Sequence, residues 1–438
     1  MPMPTALRIN TFGVRDTVLC AAVLLMNYTL LRPSPVDLAF LLALSLSVLV
    51  NQRVTITFFT YLIVVTAWYV GVFASSISLL GTLAVRPGQQ VDASVAVPFE
   101  LLTKAFVILL SLIACHTAQT WGRRELERFL KVVVVSCVIG ASLGIFGFAT
   151  GNEALLWDGR AKGGFDDPNM FASFLLPGML AAMYFVAQRK SVPWVAALAI
   201  ILLGILVGFS RAAVGSMLVT GGVFLVFLNR NNLVKGSVYV LAFAAIAVVL
   251  ASVGLLAIDG FGDKLADRLT LAKDYDSGHG GRYNRYLLAW PMILENPLGI
   301  GILEIYRYFP EPIHNIVLSS FLNYGWIGGC AWLLLMALSV RLAIRNWQAC
   351  RDPLAVLSAL CALSVVLCAL LHQGEHWRHL WLFMGLFWGF VPLNFAAASP
   401  DAAAAEPARA PAPAPTPAPL PAPAPRLAIY RLSRRPRV

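Results

Sequence analysis

The sequence predicts an all-α polytopic membrane protein of about twelve transmembrane helices, with one large outer loop between the ninth and tenth. Three observations carry that prediction. Of 438 residues, 59% are hydrophobic and only 13% charged, with a mean hydropathy of +0.75. Apolar runs repeatedly reach the roughly 17–25 residues needed to cross a hydrocarbon core of about 30 Å. Water cannot satisfy backbone groups inside that core, so the runs must be helices, and the half-polar alternation of barrel strands is missing.

In chain order the spans read Thr17–Leu31, Asp37–Val50, Val54–Ala74, Glu100–Thr120, Phe129–Thr150, Met170–Ala187, Val192–Phe209, Ala212–Leu228, Ser237–Ile258, Ile316–Leu342, Pro353–Leu371 and Leu380–Phe395. From Val192 to Leu228 the chain is apolar for 37 residues. One helix of that length would measure about 55 Å, nearly twice the core. The run must therefore break, and Gly208-Phe209-Ser210-Arg211 is its only polar punctuation. The first apolar run is not followed by a small-residue cleavage site, so it reads as a retained anchor.

The net charge of +11 would suggest nucleic acid in a soluble protein. Here the positive-inside rule accounts for it, and no nucleic-acid partner is expected. Fourteen Lys and Arg sit in alternate loops on one side, among them Arg123, Arg124, Arg128, Arg230, Arg345 and Arg351, and six more sit in the carboxy-terminal tail. That side is the cytoplasm, which places both termini inside and the long loop outside, the periplasm of a Gram-negative cell. Residues 1–395 form the transmembrane domain. Residues 396–438 are rich in Ala and Pro and basic, and read as a disordered or extended cytoplasmic tail. The seven cysteines lie in or beside apolar runs without paired spacing, which argues against a disulfide framework or zinc cage.

The outer loop, residues 259–313, is the longest polar excursion and the natural place for chemistry. Arg282 to Leu294 patterns as a short amphipathic helix lying on the membrane surface, with Arg282, Arg285, Tyr286 and Ala289 on one face. Glycines Gly278, Gly280 and Gly281 precede it and let the helix start approach an anion. Arg211 stands at the lip of a helix, where a guanidinium is normally paired or lines a watery cavity; it reads as an anion clamp. His314-Asn315 sits at the threshold of the tenth span, and a histidine is the natural base near neutral pH. Lys104, Asn315, Tyr286 and His376 are further candidates for substrate contact. His372-Gln-Gly-Glu375-His376 matches a zinc-peptidase spelling, but Gly374 weakens the required helix, and polar lining of the same cavity is the better reading. Gly299-Ile-Gly301 lacks the preceding strand of a nucleotide fold. Asp166-Asp167 reads as a solvated loop before Pro168.

Three patches resemble the O-antigen ligase family, whose members share a core with O-antigen polymerases. They are Arg160-Ala-Lys-Gly-Gly-Phe165-Asp-Asp-Pro168-Asn169-Met-Phe-Ala172, the Phe209-Ser210-Arg211 break, and the run from Gly281-Arg282 through Asn296-Pro297-Leu298-Gly299-Ile-Gly301 to His314-Asn315 and Gly325-x-x-Gly328. Asp166-Asp167 stands where members often carry glycine or asparagine, and the Ala/Pro tail is not a family feature. The resemblance implies an inverting, metal-independent glycosyltransferase of the GT-C type, without cofactor, in the inner membrane. It implies a glycan donor linked to undecaprenyl diphosphate and a lipid A-core acceptor. His314 would then be the general base, and Arg211, Arg282, Arg160 and Arg285 would hold the diphosphate. A polymerase acting on another lipid-linked glycan, a protein O-glycosyltransferase and, from a different class, an anion transporter are the alternatives.

Overall fold

The computed structural model describes residues 11–29, 34–48, 54–77, 79, 83–86, 89–189, 191–257, 261–269 and 281–396. The tail and Gly278 and Gly280 lie outside them. In chain order the elements are α1 (Thr11–Leu25), α2 (Pro35–Val48), α3 (Ile56–Ile77), the hairpin β1 (Leu83–Arg86) and β2 (Gln89–Asp92), α4 (Ala93–Ala118), and α5 (Arg123–Thr150). A second small hairpin, β3 (Leu156–Trp157) with β4 (Arg160–Ala161), leads to α6 (Pro168–Arg189), α7 (Val192–Val207), α8 (Arg211–Leu228), α9 (Leu233–Ala257) and α10 (Phe261–Leu269). Then follow α11 (Arg282–Glu295), α12 (Ile305–Tyr308), α13 (Ile316–Cys350), α14 (Pro353–Ala369), α15 (Arg378–Trp388) and α16 (Leu393–Ala396). Among the described residues seven helices are long and apolar enough to cross a membrane: α3, α4, α5, α6, α8, α9 and α13. The protein is an all-helical, polytopic membrane protein.

Packing follows the small residues. Helix α13 lies along α3, and a Cβ on Gly71 would stand 2.5 Å from the Gly328 nitrogen, so both positions keep the two backbones in contact. Helix α15 seats Gly385 and Gly389 against the Ser111 and Cys115 carbonyls of α4. Nearly every residue of α6 is buried, among α5, α7, α8 and α14, which is what a helix apolar on all sides demands.

Two interruptions shape the end where the loops gather. The long apolar run breaks where its punctuation predicts: α7 stops at Val207 and α8 starts at Arg211. Phe209 takes a left-handed φ of 46°, a strain of about 1–3 kcal/mol for a residue with a side chain. Its ring is held at 5.4 Å from Phe148 and 5.1 Å from Phe261. Ser210 then caps α8 by accepting from the Ala213 amide.

The second interruption was not legible. Helix α13 runs far beyond Leu342, to Cys350, but it breaks at Gly325, with φ 66° and ψ −170°. The freed backbone groups are met by the segment after α11. Ile300 and Gly301 donate to the Leu322 and Asn323 carbonyls at 2.8 and 3.1 Å, and Trp326 donates to the Pro297 carbonyl at 2.9 Å. Irregular backbone at membrane depth is tolerated only where protein satisfies it. Gly299-x-Gly301 is thus a clasp on a broken helix: a Cβ on Gly299 would lie 2.5 Å from the Gly325 nitrogen.

Candidate active site

The site is assembled from four connections at one end of the helices. Its centre is the short arm Glu311–Asn315, which three of the expected site residues build. Arg285, 3% exposed, donates to the Pro312 carbonyl at 3.2 Å and to the Glu311 carboxylate at 3.1 Å. One residue on, the Tyr286 hydroxyl donates to the His314 carbonyl at 2.6 Å. The Asn315 side chain accepts from the Val317 and Leu318 amides at 3.0 Å each and so caps α13. Helix α11 can do this because Arg285, Ala289 and Ile293 turn inward, with Arg282 and Tyr286 half-buried beside them, as the helical spacing predicts.

His314 is partly exposed, its Nε2 3.6 Å from the Glu311 carboxylate. Burial, then Arg282 and Arg285, push it down to about 4, with Glu311 acting the other way. The imidazole is therefore neutral across ordinary pH and able to accept a proton.

Arg160 ties two of the connections together. Its Nε donates to the Gly208 carbonyl at 3.2 Å and its Nη2 to Asn169 Oδ1 at 2.9 Å. Asp167 holds Asn169 in turn and caps α6 by accepting from the Asn169 and Met170 amides. Arg160 thus lies against the α7–α8 break that carries Arg211.

The histidine of the zinc-like spelling that meets His314 is His372, in the loop between α14 and α15, not the His376 put forward for substrate contact. Its ring meets that of His314 edge-on, centroids 5.9 Å apart, and the residue is only 8% exposed. Burial drives it well below the ordinary histidine range, followed by Arg282, His314, Arg160 and Arg211. Three arginines from three separate elements and the second imidazole therefore act on one buried ring, and every charged group among those causes is a cation. The other histidine of the zinc-like spelling, His376, lies on the exposed side of the loop, its ring 6.5 Å from Trp377. Glu375 is spent on anchoring: it accepts from Ser319, Tyr324 and Gln373 at 3.2, 3.3 and 2.8 Å and pins the loop to α13. Lys104 is buried within α4, about 16 Å along the axis from the helix start. Among the described residues no hydrogen bond or ion pair joins it to the arginines.

Fold and site together define a helical membrane protein in which Arg160, Arg211 and Arg282 bear on the buried His372, whose ring meets that of His314 where the loops gather. Residues 196–333 match the family model described as O-Antigen ligase, the family that the chain's motifs resemble. The matched segment runs from α7 into α13 and includes Arg211, Arg282, Arg285, Tyr286, His314 and Asn315; Arg160 and His372 lie outside it. The match supports a ligase- or polymerase-type function, a glycosyltransferase-like activity in general. No curated protein matches the chain.

Proposed function

We propose that the protein is an O-antigen ligase of the GT-C type, transferring a glycan from undecaprenyl diphosphate to the lipid A-core oligosaccharide at the periplasmic face. The observation that carries this reading is the meeting of His314 with His372 in the field of Arg160, Arg211 and Arg282. In the reaction the anomeric carbon–oxygen bond breaks and its electron pair goes to the diphosphate. That departure needs its charge neutralised, and the always-charged guanidinium forks of Arg211, Arg282 and Arg160 supply this without a metal. The acceptor hydroxyl attacks from the opposite side, giving inversion. Its proton goes to His314, and the nearby Glu311 carboxylate stabilises the imidazolium that forms. Arg285, Tyr286 and Asn315 act one step back, holding the arm that presents the base.

On this reading the shorter helices α1, α2, α7, α14 and α15 belong to the remaining five of the twelve spans expected from the sequence, beside the seven long ones. With both termini in the cytoplasm of an inner membrane, the arm and the arginines face the periplasm. The test is transfer by purified protein offered either lipid A-core or lipid-linked repeat units, for wild type and His314→Ala. We expect product on lipid A-core and a fall of about 10²–10⁴-fold in the variant, with its melting temperature in detergent unchanged. Product only on repeat units would make the protein a polymerase. Near-normal transfer by His314→Ala would remove the histidine from the mechanism.

A further inference from the structure

We propose that His372 is a diphosphate-binding residue, its imidazole donating a hydrogen bond to the same anion that Arg160, Arg211 and Arg282 neutralise. The inference rests on the reading of the pocket given above and extends its binding set to the loop between α14 and α15. Three independent observations support it. First, the ring makes no hydrogen bond among the described residues although the residue is only 8% exposed. Second, the ring lies edge-on to that of the proposed base, His314, at 5.9 Å, so a molecule reacting at one is within reach of the other. Third, Arg282, Arg160 and Arg211 all bear on it, and guanidinium groups favour an anionic partner.

The loop holds the ring in place before any ligand arrives. Glu375 bonds Ser319 and Tyr324 of α13, and Trp381 donates to the Glu375 carbonyl at 2.9 Å. Trp377 stacks on His379 at 5.4 Å, and His379 bonds Ser173 of α6 at 2.8 Å. A group fixed by such a supporting shell is pre-organised for binding. A neutral imidazole carries one N–H donor and one lone pair. It adds direction to the arginine clamp without adding charge, whereas His314 serves as the proton acceptor.

The experiment measures binding of inorganic pyrophosphate to the full-length protein in detergent, by calorimetry, together with KM for the lipid-linked donor. Wild type, His372→Ala, His372→Gln and Arg211→Ala are compared. We expect His372→Ala to weaken pyrophosphate binding and raise donor KM by about 10–100-fold, the loss of one hydrogen bond to a charged group. His372→Gln, which keeps an N–H donor, should recover most of that loss even if the alanine variant folds poorly. Arg211→Ala should weaken binding as well. If His372→Ala binds pyrophosphate like wild type while Arg211→Ala does not, the inference is wrong and the arginine clamp stands. A 10²-fold loss of turnover with unchanged binding would also overturn it, by making His372 a base. If neither variant changes pyrophosphate binding or donor KM, the reading of the whole pocket fails with it.

Discussion

The two ends of the helical bundle treat arginine in opposite ways. At the start of α5, Arg123 is closed into a set of acceptors. It bonds Asp352, meets Glu127 at 3.4 Å and donates to the Tyr184 hydroxyl at 3.0 Å, which itself donates to Glu127 at 2.8 Å. At the far end Arg160, Arg211 and Arg282 all bear on one buried imidazole, that of His372. The first arrangement is complete as it stands: it joins α5 to α6 and to the turn before α14, and asks nothing of a ligand. The second gathers guanidinium groups from three elements around one ring, the arrangement on which the proposed anion site rests.

That contrast can be broken by substitution at either end. Arg211→Ala or Arg282→Ala should lower turnover by about 10²–10³-fold, the usual loss for one group stabilising developing charge, while leaving the melting temperature near wild type. Arg123→Gln should do the reverse. A turnover defect in Arg123→Gln without a stability defect would erase the distinction.

Next in size is the pH dependence. Because His314 is depressed to about 4, the acid limb of kcat/KM should fall near pH 4 and not near the ordinary value of about 6.5. Arg282→Gln removes a lowering influence and should move that limb upward; Glu311→Gln removes a raising one and should move it downward. Stability follows the same sign. Unfolded histidine binds its proton at about 6.5, so the contribution of this group is full above that pH and is lost as pH falls toward 4. Thermal melts between pH 7 and pH 4 measure it.

Two smaller effects sharpen the structural side. Gly325→Ala puts a side chain at a φ of 66°, with its Cβ 2.5 Å from Leu298 C and from the Pro297 carbonyl, and should cost about 1–3 kcal/mol. Asp352→Ala removes both the Arg123 pair and the cap it makes on the Leu354 amide, and should cost about 0.5–2 kcal/mol. Both are read as shifts in thermal unfolding.

What the sequence yielded was governed by distance along the chain. The break before Arg211 was legible because an apolar run too long for the membrane must bend at its polar residues. The face of α11 was legible because helical spacing is local. The His314–His372 meeting was not, since it joins loops separated by the whole of α13 and α14, and no spacing rule encodes that. Gly325 was hidden differently: a glycine inside an apolar stretch reads as continuous helix, and only the partner segment Pro297–Gly301 reveals why it is needed. Of the zinc-like spelling, the sequence favoured His376, because nothing local tells which of two histidines in one loop turns inward.

The clasp between Gly299, Gly301 and the broken helix has a mechanical consequence. Because the segment behind α11 is bonded to the backbone just below Tyr324, and α11 itself grips the arm above, His314 is braced from two sides by one continuous frame. Movement of the outer segments around it is therefore not passed on to the imidazole: a shift of α11 would have to break bonds to the broken helix and to the arm together.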